Sequence, residues 1–265
     1  STAGRCSSCC SSCPAAGTYS TVTAAPVTAC LIPGIGNCAK ALPADTTCST
    51  AAGAQGLLSC PAGEYNDVTT AVITGCKDPG AGKCASINGT GCSNVAGADQ
   101  VADCPAGTYH DGLSATGTCS NPGIGKCAAA TSAAGVCSAA AGAQAALSCP
   151  AGTYSTVTAG PVTACLIPGI GNCAKALAED TTCSTAAGAQ GLLSCPAGTY
   201  NDVTTAVIDG CKNPGAGKCA KATAAGAGVC STIAGAQALL DCPAGTYNDV
   251  TAAVTDGCKN PGIGK

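Results

Sequence analysis

The chain contains no phenylalanine, tryptophan or methionine, and its 265 residues include one histidine and six tyrosines. A conventional enzyme core, built from large aromatic and aliphatic side chains around a few convergent polar groups, is poorly served by that stock. Charge is also scarce: 11 basic side chains stand against 14 acidic ones, for a net charge of −3. With no basic footprint, nucleic acid is set aside as a partner. No apolar run approaches the roughly 20 residues that a bilayer-spanning helix needs, so no transmembrane segment is expected. The missing methionine means that Ser1 is not a translation start, and a removed leader is the expected explanation. One histidine, His110, cannot supply a His-based triad that recurs along the chain, so neither enzymatic activity nor a cofactor is expected.

What is abundant is cysteine, with 25 residues, beside 37 glycines and 15 prolines. That density marks a disulfide scaffold, and the length points to an array of small stapled units rather than one domain. A Cys-Pro-Ala anchor recurs at Cys13, Cys60, Cys104, Cys149, Cys195 and Cys242, in steps of 47, 44, 45, 46 and 47 residues. The expected organisation is an N-terminal cysteine cluster at 1–12, five repeats at 13–59, 60–103, 104–148, 149–194 and 195–241, and a partial repeat at 242–265. Each complete repeat has four cysteines, with 8 residues from second to third and 12 from fourth to the next first. The first-to-second step varies from 15 to 17 and the third-to-fourth step from 8 to 11, which marks those segments as loops. Residues 17–85 match residues 152–220 with six differences, the sign of a duplicated block.

Local chemistry sets further expectations. The Thr- and Val-rich run Tyr200–Ile208 reads as a strand. The Pro33-Gly34 pair and its five equivalents read as a tight reversal, since Pro presets φ and Gly accepts the positive φ that follows. Such a reversal would bring the second and third cysteines face to face. The pairs most readily bonded on this reading are Cys30 with Cys38, Cys76 with Cys84, Cys119 with Cys127, Cys165 with Cys173 and Cys211 with Cys219. Ser49–Leu58, capped by Ser and rich in Ala, reads as one short helix per repeat, weakened by its glycines. A helix there and a fourth-to-first disulfide exclude each other, because the rise of a helix would hold the two cysteines on the order of 15 Å apart. The fold class is therefore small disulfide-rich repeats in an elongated tandem array, with short strands, Pro-Gly turns and a short helix.

Each unit carries one aromatic residue: Tyr19, Tyr65, Tyr109, Tyr154, Tyr200 or Tyr247. A ring so regularly placed reads as the packing centre of its repeat, and an exposed row of tyrosines for binding is the alternative. A unit of about 46 residues with so few Leu, Ile and Val cannot offset chain entropy unaided. Closing loops of roughly 9 to 13 residues contributes about 2.5 to 3 kcal/mol per bridge in the chain-entropy model, so two per unit would decide folding. Such bridges persist outside a reducing cytosol, which places the chain in an extracellular setting or at the cell surface.

The ends suggest self-association. On second-to-third pairing Cys258 lacks its partner, and Cys6, Cys9 and Cys10 break the pattern within the Cys6–Cys13 cluster; these four are the candidate intermolecular cysteines. The same cluster has the spacing of a Zn or Cu(I) site, but bridging is the stronger reading in a disulfide-dense chain, and no metal is expected. Asn-Asp pairs such as Asn66-Asp67 gather too few oxygens for calcium and read as turn residues. Asn88-Gly89-Thr90 is an N-glycosylation sequon, so a glycan at Asn88 is a candidate modification.

The phrase CPAGTY at 104, 149, 195 and 242, varied as CPAGEY at 60 and CPAAGTY at 13, resembles the units of ciliate surface antigens of the immobilization-antigen type. It is also similar to phrases in growth-factor-receptor-like cysteine-rich modules. The resemblance implies a secreted, usually lipid-anchored coat protein without enzymatic activity, the anchor signal lying past Lys265 or already removed. The functional expectation is an extracellular structural or surface-coat protein, a stapled repeat rod able to polymerise into fibres. The alternative is an adhesion or glycan-binding module reading through the variable loops. An ice-binding solenoid is a minor third reading, with Thr21-Val-Thr23 and Thr156-Val-Thr158 its nearest signals.

Overall fold

The computed structural model describes residues 4–10, 13–22, 27–69, 75–114, 116–223, 228–253 and 255–262. The chain is a tandem array of disulfide-rich repeats, each with a two-stranded antiparallel hairpin, and no helix occurs among the described residues. Among those residues, then, no helix is long and apolar enough to cross a membrane. Two compact units are formed, one of Ser1–Asn121, Ala128–Ser132 and Ser138–Ala145, the other of Pro122–Cys127, Ala133–Cys137 and Ala146–Lys265.

In the first unit, β1 (Gly4–Cys10) pairs with β2 (Val27–Cys30) through an irregular register. β3 (Asn37–Lys40) pairs with β4 (Gly56–Ser59), and β5 (Lys83–Ser86) with β6 (Gln100–Asp103). β7 (Lys126–Ala129) and β8 (Ala145–Ser148) form the hairpin of the third repeat, whose residues are shared between the two units. In the second unit β9 (Asn172–Lys175) pairs with β10 (Gly191–Ser194), and β11 (Lys218–Lys221) with β12 (Ala238–Asp241).

The first strand of each hairpin starts one residue before the third cysteine, and it is buried on both faces. Cys38 and Ala39 are buried side by side, as are Cys84 and Ala85, Cys173 and Ala174, and Cys219 and Ala220. One face sends a sulfur into a bridge, and the other offers only a methyl, so neighbouring backbone can come close. The interior is accordingly made of Cys and Ala, joined by few larger residues such as Val27, Val162, Val207 and Tyr200. Several large apolar side chains remain outside, among them Leu57, Leu192, Ile233 and Val136. An interior of this kind buries little apolar area per residue, and the bridges supply what packing does not.

Disulfide pairing differs from the sequence expectation. The second and third cysteines do not bond to each other. Bridges run first to second, as Cys13–Cys30, Cys60–Cys76, Cys104–Cys119, Cys149–Cys165, Cys195–Cys211 and Cys242–Cys258. The others run third to fourth, as Cys38–Cys48, Cys84–Cys92, Cys127–Cys137, Cys173–Cys183 and Cys219–Cys230. Backbone pairing is the reason. The residue after the second cysteine bonds back to the tyrosine, as Tyr19 N to Leu31 O at 3.0 Å and Leu31 N to Tyr19 O at 2.8 Å, which turns Cys30 toward Cys13. The residue after the fourth cysteine bonds back to the hairpin, as Ser49 N to Ala39 O at 2.8 Å, which turns Cys48 toward Cys38.

Three other expectations change with it. Cys258 is closed on Cys242 and is not an orphan awaiting another chain. The Ser49–Leu58 segment is a turn leading into β4 rather than a helix, because its backbone bonds to other segments: Gly53 N to Cys13 O, Ser20 N to Ala54 O and Gln55 N to Lys40 O. Tyr200–Ile208 is not a strand; Tyr200 makes two isolated bridges and the rest is loop. The Pro-Gly reversal also sits two residues later than expected. The turn closes from Asn37 N to Gly34 O, and Gly36, at its third position, has φ 71°.

Candidate functional site

The repeat junction recurs along the described residues, and it is built around the residue after each tyrosine. That position holds Ser20, Asn66, His110, Ser155, Asn201 or Asn248, and every one of them is buried. Its backbone carbonyl accepts from the second glycine of the preceding Pro-Gly-x-Gly loop: Gly36 N to Asn66 O at 2.8 Å, Gly82 N to His110 O at 2.7 Å and Gly171 N to Asn201 O at 2.8 Å. That glycine's own carbonyl accepts from the next anchor cysteine, as Cys60 N to Gly36 O at 2.8 Å, and Cys60 O accepts from Gly97 N at 2.8 Å. A bonded rail of main chain therefore passes through each junction.

Side chains complete the joint. Asn66 Nδ2 donates to Gly34 O at 3.0 Å and Asn37 O at 2.7 Å, while its Oδ1 accepts from Val68 N at 3.0 Å. Asn201 repeats this toward Gly169 and Asn172, and Asn248 toward Gly215 and Lys218. His110 stands in the same socket with Nδ1 2.9 Å from Gly80 O and Nε2 3.4 Å from Ser114 O. Asn66, Asn201 and Asn248, read from sequence as turn residues, and His110, read there only as a lone imidazole, are the plugs between repeats. A polar side chain at the same offset from every tyrosine was the available signal. At four of the joints the glycine rail also leaves no room for a side chain: a Cβ on Gly36 would lie 2.5 Å from Gly97 O, one on Gly82 2.4 Å from Gly142 O, one on Gly125 2.4 Å from Gly188 O and one on Gly171 2.6 Å from Gly235 O, whereas one on Gly217 meets nothing within 4 Å.

Sulfur packs at the same joints. Cys92 and Cys119, not bonded to each other, have Sγ atoms 3.3 Å apart, and Cys137 and Cys165 have theirs 3.5 Å apart. Five such clusters occur among the described residues, each bringing the third and fourth cysteines of one repeat within 4.8 Å of the second cysteine of the next. In the oxidised chain every sulfur in them is already bonded, so none is a thiolate ligand.

The tyrosines line the joints as backbone nodes. Each complete repeat pairs its tyrosine antiparallel with the residue after the second cysteine and parallel with a buried alanine, as Tyr65 with Lys77 and Ala98. Tyr200 is buried against Ala220 and Ala236; Tyr19, Tyr65, Tyr109 and Tyr154 are half-buried, and Tyr247 is exposed. Lys77 lies 5.7 Å over the Tyr65 ring and bonds Asp67 at 2.7 Å. That lysine holds the Asp67 carboxyl below the usual carboxylate range, mainly by the hydrogen bond it donates, and Asp67 in return holds Lys77 above its ordinary value. Glu64, in the one anchor written CPAGEY, is pushed up first by burial and then by nearby Asp78.

The remaining sequence candidates fall as follows. Asn88 tops an exposed turn with φ 57°, followed by Gly89 with φ 68°, and Thr90 N bonds Ile87 O at 3.4 Å across it. Cys6, Cys9 and Cys10 lie on β1, but their side chains are outside the described ones, as is any intermolecular bond for which they were candidates. Cys13, the last member of that cluster, is bonded to Cys30. No family model and no curated protein matches the chain.

Proposed function

We propose that this chain is a non-enzymatic structural protein of the extracellular surface, whose repeats serve as stapled building blocks of a coat or fibre. The observation that carries the reading is the sameness of the junctions. The same glycine-to-carbonyl bonds and the same apposed bridges recur from the Gly36–Asn66 joint to the Gly217–Asn248 joint. A stack of equivalent joints suits mechanical continuity, whereas a catalytic site needs one position unlike the rest. The bridges from Cys13 to Cys258 fit an oxidising compartment, which supports secretion. The likeness of the CPAGTY phrase to ciliate surface antigens belongs to the same reading, as do end-to-end self-association and a glycan on the exposed Asn88.

Electron microscopy of native material without reductant tests it. Uniform rods or fibres support the reading, and compact globular particles refute it. A second reading, adhesion, draws on one observation: apolar residues stand exposed on or beside the variable third-to-fourth segments, with Leu42 53%, Val136 64% and Val229 65% accessible. Glycan-array binding that disappears when these loops are exchanged would select it.

A further inference from the structure

We propose that the Cys84–Cys92 bridge is a thiol-exchange site, at which a low-molecular-weight thiol forms a mixed disulfide with Cys92. The second repeat has the shortest third-to-fourth loop, 8 residues against 10 or 11 elsewhere. It closes through the Ile87–Thr90 turn and a Ser86–Cys92 bridge, and this draws Cys92 outward. Cys92 is exposed, whereas its counterparts Cys48, Cys137, Cys183 and Cys230 are half-buried. Beside it opens a cavity of about 510 Å³, walled by Cys92, Cys119, Pro105 and Thr108. The corresponding cavity next to Cys230 and Cys258 is about 200 Å³.

Only one end of the bond faces that space. Cys84 is fully buried and does not line the cavity, so a nucleophile in that space meets the bond at Cys92 Sγ. The incoming thiolate forms a bond to Cys92 Sγ while the Cys84–Cys92 bond breaks, and its electron pair leaves on Cys84 Sγ. A proton from solvent completes the Cys84 thiol, which has Ala102 O as acceptor at 3.5 Å. One disulfide is consumed and one is formed, so no external oxidant is needed. Access and the choice of attacked sulfur govern such rates, and both favour Cys92.

The test treats the intact native chain with a few equivalents of reduced glutathione, quenches with acid, alkylates free thiols and maps the peptides without reduction. Among cysteines 13–258 the expected first product carries glutathione on Cys92 and alkyl on Cys84, at least tenfold above any other adduct. First modification at Cys119, at a half-buried fourth cysteine, or evenly at all bridges would overturn the proposal. So would the absence of any adduct while the chain remains folded. A C84S/C92S double variant, assayed where amide exchange shows the chain still folded, should lose the fast adduct; persistence of the fast adduct in that folded variant also overturns the proposal.

Discussion

Cys48 Sγ lies 3.5 Å from Cys76 Sγ, although Cys48 is bonded to Cys38 and Cys76 to Cys60. The bridge that closes one repeat thus rests on the bridge that opens the next. Covalent staples act here as packing elements as well as cross-links, at the positions where another protein would place Leu or Phe.

The glycine rail makes a matched comparison possible. Gly34 and Gly36 both have positive φ, 78° and 71°, yet a Cβ on Gly34 meets nothing within 4 Å while one on Gly36 would fall 2.5 Å from Gly97 O. Gly34→Ala should cost only the left-handed conformation, about 1 to 2 kcal/mol. Gly36→Ala must in addition push two repeats apart, and a loss of about 3 kcal/mol or more is expected. Denaturant unfolding of the two variants checks this, and equal losses would contradict the close approach.

Asn66 is fully buried with two donated bonds and one accepted. Asn66→Ala strands the Asn37 carbonyl and the Val68 amide and leaves Gly34 O only its turn bond from Asn37 N, for an expected loss of about 2 to 4 kcal/mol. Asn66→Ser, the residue found at the equivalent Ser20 and Ser155, should lose less. Thermal melts rank the two variants.

Glu64 replaces a threonine that elsewhere bonds the anchor proline, as Thr108 Oγ1 to Pro105 O and Thr199 Oγ1 to Pro196 O, both at 2.7 Å. Its folded-state pKa lies above the unfolded one, so the folded chain binds more protons in that window and stability falls as pH rises through it. Glu64→Thr removes the penalty and restores the bond. A gain of roughly 0.5 to 1.5 kcal/mol is expected at neutral pH, shrinking once the pH is below the carboxylate range. Asp67 has the opposite sign: its lowered carboxyl adds stability above the unfolded value and loses it as pH falls through the folded one. With side chains 39% and 48% exposed, the Lys77–Asp67 pair is a surface pair whose effect is small.

The Ser86 hydroxyl is buried with no hydrogen-bond partner among the described residues, and the third repeat has Ala129 at that position. Ser86→Ala should stabilise the chain by about 1 kcal/mol, since it removes an unpaired polar group without opening a cavity. A loss of stability on chemical denaturation would show that the hydroxyl has a partner in solution.

How far the sequence led can be followed through particular residues. The anchor at Cys13, Cys60 and onward set the repeat boundaries because spacing survives folding unchanged. The Pro33-Gly34 reversal between Cys30 and Cys38 suggested a bond, but the turn lies at Gly34–Asn37 and, with the close approach at Gly36, accounts for the constant 8-residue step without one. Loops closed by real bridges, such as Cys84–Cys92 and Cys219–Cys230, vary in length because a disulfide fixes only their ends. The helix expected at Ser49–Leu58 rested on local propensity, and long-range bonds from Gly53 and Gln55 overrode it. The joint itself was hidden because Asn66 and Gly36 meet across 30 residues, a contact that no local pattern encodes.

Complete reduction followed by alkylation, monitored by amide hydrogen exchange, tests most directly whether sulfur holds this fold. Bridges from Cys13–Cys30 to Cys242–Cys258 stand where a large apolar core would otherwise be. The account predicts that protection of hairpin amides such as those of Cys38, Cys84 and Cys173 collapses to the rate of an unfolded chain. Retention of native protection after every bridge has been cut would contradict it.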